Sequence, residues 1–528
     1  MPTATARPDA TLAKRSAHAS VANMRWTPTL TSRRTPTSRI SLRLRASRIS
    51  AAAGRGTSAD SVAAFRIAFG AVSAFAAIRF LASGWVGQLY LSPRAHLTYP
   101  GFGWVQPLPA PWMHLVVAVI GAAGVAIALG WRFRLACWVF LCSFAYVELI
   151  DATLYLNHYW FVTLCALLLA LLPAHHRWSL DARAGRVRAG ALVPVGVIWT
   201  LRAQVAVVYL FAGIAKLNAE WLGSALPLRL WLADRADLAV VGPLLDEPWI
   251  AYAASWASAA FDCTIVFWLL WRRSRPWAFA AVVVFHFATG ALFAIGVFPL
   301  VMVAAALIFF EPDWPRQLAA RAHLVRRRIG GIAGRASTEH ATQPASVSLL
   351  PLPLRDPPLP VPPDLCPAIR AADPHPRLGR GTLVALAALA LMQLALPLRH
   401  LTYAGDVRWT EEGYWGAWRV MLTDKAAALE FRVTDPTAGS RWQVGPELVL
   451  EDWQTERASG HPDLIVATAH LIAARYRDRG VEPVQVYADA WVSMNGRPAS
   501  RIIDPTVDLA AQPRTLGPAP WILEPGDW

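Results

Sequence analysis

The chain has 528 residues, 55% of them hydrophobic and only 16% charged, with a mean hydropathy of +0.35. Soluble domains carry roughly 25% charged residues, so there is too little charge here to coat a water-exposed surface. The net charge of +15 does not point to nucleic acid: no nucleic-acid motif accompanies it, and the arginines gather between apolar runs as they do in the loops of membrane proteins.

The 25 tryptophans suit the membrane–water interface, which indole rings favour. Cysteine is uninformative. Cys137, Cys142, Cys165 and Cys263 lie in apolar runs and Cys366 in a proline-rich stretch. No CxxC spacing occurs and no cysteine follows Cys366, which argues against a disulfide within the C-terminal part and against structural zinc. No metal is expected.

Residues 1–60, rich in Ser, Thr, Ala and Arg and nearly free of acid, are expected to be a disordered basic tail, with a transit-peptide reading also open. Nine apolar stretches then follow: 61–83, 113–130, 135–151, 159–173, 191–217, 250–271, 277–293, 296–310 and 381–398. A spanning helix needs about 20 such residues. With the tail inside, four inside loops carry Arg132 and Arg134; Arg177, Arg183, Arg186 and Arg188; Arg272, Arg273 and Arg275; and Arg316, Arg321 and Arg326 to Arg328. The outside loops around 84–112, 152–158 and 218–249 hold few basic residues. This alternation follows the positive-inside rule and places the C-terminal part outside.

The expected organisation is therefore a transmembrane module at 61–320, a basic and Pro-rich inside linker at 321–380, a last helix at 381–399 and an extracytoplasmic domain at 400–528. The linker contains LLPLPLRDPPLPVPPDL, too rich in proline to fold. In the last domain ALEFRV, ELVL and VYADAW read as strands. Asn495-Gly496 offers a hairpin turn, and DLIVATAHLIAARYRDRG reads as a helix with Gly480 as its C-cap. The fold class is a polytopic α-helical membrane bundle of about nine spans, followed by a small strand-rich α+β domain.

Charge inside a spanning helix costs about 2.5 kcal/mol or more on insertion scales, so each instance is a candidate site. The fifth stretch, WTLRAQVAVVYLFAGIAKLNAEW, carries Arg202, Gln204 and Lys216. Lys216 lies 14 positions after Arg202, about 21 Å along a helix, near the outer end. His158 opens the fourth stretch at the same face, and His286 in VVVFHFATG falls near mid-depth of the seventh. Three polar groups from separate helices can converge below the outer surface. Plainer readings stand beside this one. Lys216 could snorkel to the interface, His158 could be a loop residue, and His286 a satisfied core histidine. Arg202 and Asp262 could form a structural pair, while Asp151 and Glu148 could cap or orient a helix end. Adjacent His175 and His176 are poorly placed to chelate one metal.

Several segments resemble the vitamin K-dependent gamma-glutamyl carboxylases, in particular bacterial-type members with a horizontally transferred transmembrane module. They are WVGQLYLSPRAHLTYPGFGWVQPLP, YVELIDATLYLNHYW, VVYLFAGIAKLNAEWL, FHFATGALFAIGVFPLVMVAAALIFFEPDWPR, PLRHLTYAGDVRWTEEGYWGAWRVMLTDK and VYADAWVSMNGRPASRIIDP. They fall in order over about 61–320 and 385–510. The resemblance implies a reaction in which a lysine base deprotonates reduced vitamin K, or a menaquinone-type hydroquinone. Oxygen then converts the quinol to its epoxide through a strongly basic alkoxide. That base removes a gamma proton from glutamate, and carbon dioxide adds to the carbanion.

By that resemblance Lys216 matches the catalytic lysine and His158 the histidine assisting proton abstraction. An apolar site disfavours the charged form of an amine, as such a base requires. Asn157 and His286 match polar residues lining the quinone pocket, with Gln204 and Arg202 as further cofactor-binding candidates. Asp151 and Met421 match positions facing the substrate glutamate, and Arg229 is a candidate for its carboxylate. The implied partners are a glutamate-containing peptide or protein, the quinone and the lipid bilayer, with no nucleic acid. The implied location is a bacterial inner membrane. Animal members have two adjacent lysines where this chain has Ala215-Lys216, and no cysteine pair could join the C-terminal domain to an outer loop. A quinol epoxidase without carboxylation, or a non-catalytic transporter or scaffold, are the alternatives. The absence of repeat-related halves counts against a transporter.

Overall fold

The computed structural model describes residues 56–293, 295–323 and 377–526. Most of the expected tail and linker therefore lies outside the described residues. All nine apolar stretches are helical, and their ends fall where the sequence changes character. They are α1 (Asp60–Ala82), α2 (Ala110–Leu129), α3 (Phe133–Ile150), α4 (Asn157–Leu171), α5 (Val195–Ala215), α6 (Pro248–Leu270), α7 (Arg275–Leu292), α8 (Phe298–Ala306) and α9 (Arg380–Leu398). Proline opens α6, α7 and α8 within their first turn, where its missing N–H costs nothing.

The count of nine spans needs correction. Among the described residues seven helices are long and apolar enough to cross a membrane, or eight if the bent pair Phe298–Phe309 and Trp314–His323 is one span. That pair turns through 93° at its break. The helix α4 has only 15 residues, about 22 Å at 1.5 Å per residue, short of the hydrocarbon thickness of about 30 Å. Composition alone marked α4 and α8 as spans; their length does not. The bundle packs closely where side chains are smallest. A Cβ on Gly70 of α1 would lie 2.5 Å from the Gly124 carbonyl oxygen of α2, so only glycine admits this approach of two helices.

The C-terminal region carries a four-stranded antiparallel sheet of order β4-β3-β5-β6, built from β3 (Lys425–Thr434), β4 (Arg441–Val444), β5 (Gln485–Met494) and β6 (Ser500–Arg501). A small separate ribbon pairs β1 (Gly56–Ser58) with β2 (Leu192–Pro194). Leu429, Phe431 and Val433 alternate inward on β3, as do Val486, Ala488, Ala490 and Val492 on β5, and they pack with Ile465, Ala469 and Ile472 of helix α11 (Pro462–Arg477). The preceding α10 (Asp452–Ala458) starts with a capping box between Glu451 and Gln454. Asn495 and Gly496 both have positive φ, 57° and 73°, as a tight type I′ hairpin turn demands. The ELVL stretch is not a strand. Pro446–Leu448 forms a 3-10 turn, since Pro446 brings no N–H to a ladder. The helix stops at Arg477 with Asp478 as its C-cap, and Gly480 takes the left-handed turn just beyond.

Three apolar clusters join the membrane helices to this region. Trp418 is wholly buried in the core of the helix bundle. Leu422 belongs to a smaller cluster with Trp221, Ala225, Leu228 and Ala259. In the opposite direction, Leu97 and Ala152 from the helical part enter the core beneath the sheet.

Candidate active site

Lys216 follows the last residue of α5 as its C-cap. It is 5% exposed, and its Nζ donates to Asp262 Oδ2 of α6 at 2.8 Å, with Asp262 equally buried. Glycine makes that meeting possible, because a Cβ on Gly213 would lie 2.7 Å from the Cys263 backbone nitrogen. The Trp221 ring lies 5.3 Å from Nζ, within cation–π range. Trp221 Nε1 donates to the Ser255 carbonyl at 2.9 Å, and Ser255 precedes Asp262 by seven residues, about 10 Å along the axis. Thus α6 continues past the end of α5 and carries a roof of short helices. Lys216 is terminal in its own helix yet enclosed, which removes the snorkelling reading.

From this ion pair a chain of ring contacts runs to the two histidines. Phe261, next to Asp262, packs edge-on against Tyr209 at 5.8 Å and against His286 at 6.5 Å. The Tyr209 hydroxyl and His286 Nε2 share a buried hydrogen bond of 2.8 Å. Phe298 then lies between the histidines, 5.6 Å from His286 and stacked on His158 at 5.2 Å. His286 Nδ1 is buried without a hydrogen-bond partner. Such a nitrogen is costly unless something satisfies it.

The stretch after α9 closes over this region. Asn157 Nδ2 donates to the Arg419 carbonyl at 3.1 Å, and the Gly416 amide donates to the Tyr155 hydroxyl at 2.8 Å. Glu411, Trp418 and Met421 all have positive φ, a conformation that non-glycine residues hold only where surrounding contacts enforce it. Met421 is half-buried beside Leu422, which shares its cluster with Trp221. Glu220 anchors the roof from below: Arg408 Nη1 and Asn495 Nδ2 donate to Oε2 at 2.8 and 2.6 Å, and Arg497 Nη2 lies 2.7 Å from Oε1.

Other sequence candidates fall elsewhere. Arg202 does not pair with Asp262; it donates to the carbonyls of Ile308, Phe309 and Phe310 at 3.0, 3.1 and 3.0 Å and caps the chain leaving α8. Gln204 is tied to Gln393 of α9, holding that helix to the bundle. Neither takes part in the ring path. Asp151 is fully buried, with both oxygens occupied. Oδ1 accepts from the Thr153 amide and hydroxyl at 3.0 and 2.6 Å, and Oδ2 meets Gln454 at 2.8 Å and His96 at 3.2 Å. It serves as a cap and a joint to α10, so no oxygen is left for a substrate. Arg229 is exposed on a short helix, Leu228–Ala233, with no ion pair among the described residues. A cavity of about 220 Å³ in the C-terminal region, walled by Arg399, Glu411, Trp415 and His461, includes none of these residues. No group of three His, Cys, Asp or Glu side chains among the described residues is arranged to hold a metal.

The sequence reading missed the Lys216–Asp262 pair, the Tyr209–His286 bond and the Phe298 partition. Asp262 was visible as a lone acid in an apolar run, but its depth along α6 did not match that of Lys216 along α5. Only the overhang of α6 resolves this.

Two family models match the chain: the HTTM domain over residues 55–314, and the vitamin K-dependent gamma-carboxylase lumenal domain over residues 379–527. The two lie in the order and at the places of the six resembling segments. The chain belongs to the vitamin K-dependent gamma-carboxylase family. No solved structure matches it. Membership in this carboxylase family implies a vitamin K cofactor and suggests a gamma-glutamyl carboxylase-like enzyme acting on protein at a membrane. The apolar helices and the lumenal-type domain make the chain an integral membrane protein.

Proposed function

We propose that the chain couples oxidation of a reduced vitamin K-type quinone, to its epoxide, with gamma-carboxylation of glutamate in a peptide or protein. The observation that carries this reading is the buried Lys216–Asp262 pair, beside a path of ring contacts that ends at two histidines. A quinol fits the residues present: Phe261 and Phe298 offer flat faces, and His286 Nδ1 lacks a partner. When bound, the quinol supplies, on oxygenation, the strong base that a glutamate gamma carbon requires.

The chain's own groups do the rest. Lys216 and Asp262 act as one proton-accepting unit, because the amine is hydrogen-bonded directly to the carboxylate at 2.8 Å. With a single proton between amine and carboxylate, the unit is neutral and accepts a second one from the quinol hydroxyl. A buried lysine without its aspartate would face the full desolvation of the ammonium it forms. Tyr209 fixes His286 through Nε2, so the free Nδ1 is presented in one orientation. His158 assists at the glutamate end, and the 411–422 segment excludes water and presents Met421 there.

The test is an assay of the purified full chain with reduced vitamin K, labelled carbon dioxide and a glutamate peptide. Epoxide and labelled peptide are both expected. Neither product from folded protein would overturn the reading. Epoxide without label would select the quinol epoxidase reading, for which the lysine pair alone suffices. The arginine-rich loops further support placing residues 400–528 outside a bacterial inner membrane. Cysteines introduced at Ser346 and Ser500 should then react with an impermeant reagent on intact cells at 500 only; labelling at 346 only would reverse the orientation.

A further inference from the structure

At the end of the bundle where α9 begins lies a cavity of about 210 Å³ that has no part in the chemistry above. Arg134 from the first turn of α3, His176 after α4, and Arg377, Gly379 and Thr382 at the start of α9 line it. We propose that this cavity binds a phosphate group, the headgroup phosphate of an anionic membrane lipid being the source that its position favours.

Three independent features support the assignment. Among the described residues no acidic side chain lines the cavity, and neither Arg134 nor Arg377 has a carboxylate partner. Arg134 gives one Nη1 bond, 3.1 Å, to the Ala170 carbonyl, which fixes its guanidinium and leaves other donors toward the cavity. Guanidinium pairs suit phosphate oxygens. The helix α9 also starts at Gly379 with no side-chain cap among the described residues, which leaves its first amides free of an intrahelical partner. Gly379 and Gly381 have open space where a Cβ would stand, so an anion can approach these amides closely.

Packing gives the site a purpose. Of the 19 residues of α9 only Leu389, Gln393 and Pro397 are buried, so a narrow stripe with Leu386 and Met392 at its edge, together with the Gln393–Gln204 contact, holds it to the bundle. A phosphate held jointly by Arg134 and by the start of α9 would staple the two together. The apolar part of the lining, Leu171 and Pro173, would take the glycerol and first methylenes of a lipid.

The full chain, purified into nanodiscs of phosphatidylcholine with or without phosphatidylglycerol, is examined by native mass spectrometry and melting. Wild type should retain phosphatidylglycerol over phosphatidylcholine about tenfold or more, as two interfacial arginines would provide, and should melt higher with it. Arg134→Gln with Arg377→Gln should lose both effects, while Arg321→Gln, outside the cavity, should keep them. If the double variant does not fold, Thr382→Glu, which places a carboxylate in the cavity, should lose the same preference. Inorganic phosphate in phosphatidylcholine discs is the second arm. Stabilisation by millimolar phosphate that matches the lipid's would keep the phosphate site but overturn the lipid as its source. Equal lipid retention by wild type and all variants would overturn the proposal.

Discussion

The joint between the membrane helices and the sheet-bearing region contrasts with the Lys216 site a short distance away. Both bury charge, but at the joint each buried carboxylate is held by two or more partners. Asp151 meets Thr153, His96 and Gln454; Glu220 meets Arg408, Asn495 and Arg497; Glu411 meets Lys425 and His461 at 2.6 and 3.1 Å. At the Lys216 site one ion pair and one hydroxyl–imidazole bond stand among phenyl rings, and His286 Nδ1 has no partner. A buried polar group with every valence used holds structure together. One with a valence left open, beside apolar walls, is a place for a ligand.

If that contrast is right, substitutions at the two regions should separate in kind. The largest effect belongs to Lys216→Ala, which should lower epoxide formation and carboxylation together by about a thousandfold, the middle of the range for loss of a general base. A small added amine should restore part of it. Epoxidation near wild type in both Lys216→Ala and Lys216→Arg would return the lysine to a structural role. Asp262→Asn should cost about a hundredfold, since the amide keeps the shape but accepts no proton; unchanged rates would separate the aspartate from the chemistry. His158→Ala should reduce carboxylation more than epoxidation, and equal losses in both would place it earlier in the reaction.

The smallest effect is expected at the joint and concerns stability. Burial pushes the Glu411 carboxyl up, but His461 and Lys425 outweigh it and hold it below the usual carboxylate range. A carboxyl depressed in the folded state contributes stability above its unfolded value, about 4.3, and loses it as pH falls through the folded one. The melting temperature of wild type should therefore exceed that of Glu411→Gln near neutral pH, and the gap should shrink on acidification below about pH 4.5. A gap independent of pH would remove Glu411 as its source.

Much of this was legible in the sequence. Apolar length and prolines located the helices, alternation located β3 and β5, and Asn495-Gly496 announced its turn. Lys216, His158 and His286 stood out as polar groups in apolar runs. What could not be read was reach. Arg202 and Gln204 occupy the same helix as Lys216 and look alike in sequence, yet Arg202 binds carbonyls near α8 while Gln204 clasps α9. Asp151 was placed at the substrate by the family resemblance; its capping of Thr153 is local, as the plainer reading had it, but His96 and Gln454 are brought to it only by the fold. Periodicity fixes the face of one helix, and says nothing about which distant segment covers that face.

The central claim is that Lys216 and Asp262 accept a proton as one unit, and a double-mutant cycle on epoxide formation tests it most directly. Lys216→Ala, Asp262→Asn and the double variant are compared with wild type at one pH. Residues that act as a unit are strongly non-additive, so the double variant should be no slower than Lys216→Ala alone. Losses that multiply, with the double variant slower than Lys216→Ala by the full factor of Asp262→Asn, would show two independent groups and contradict the account.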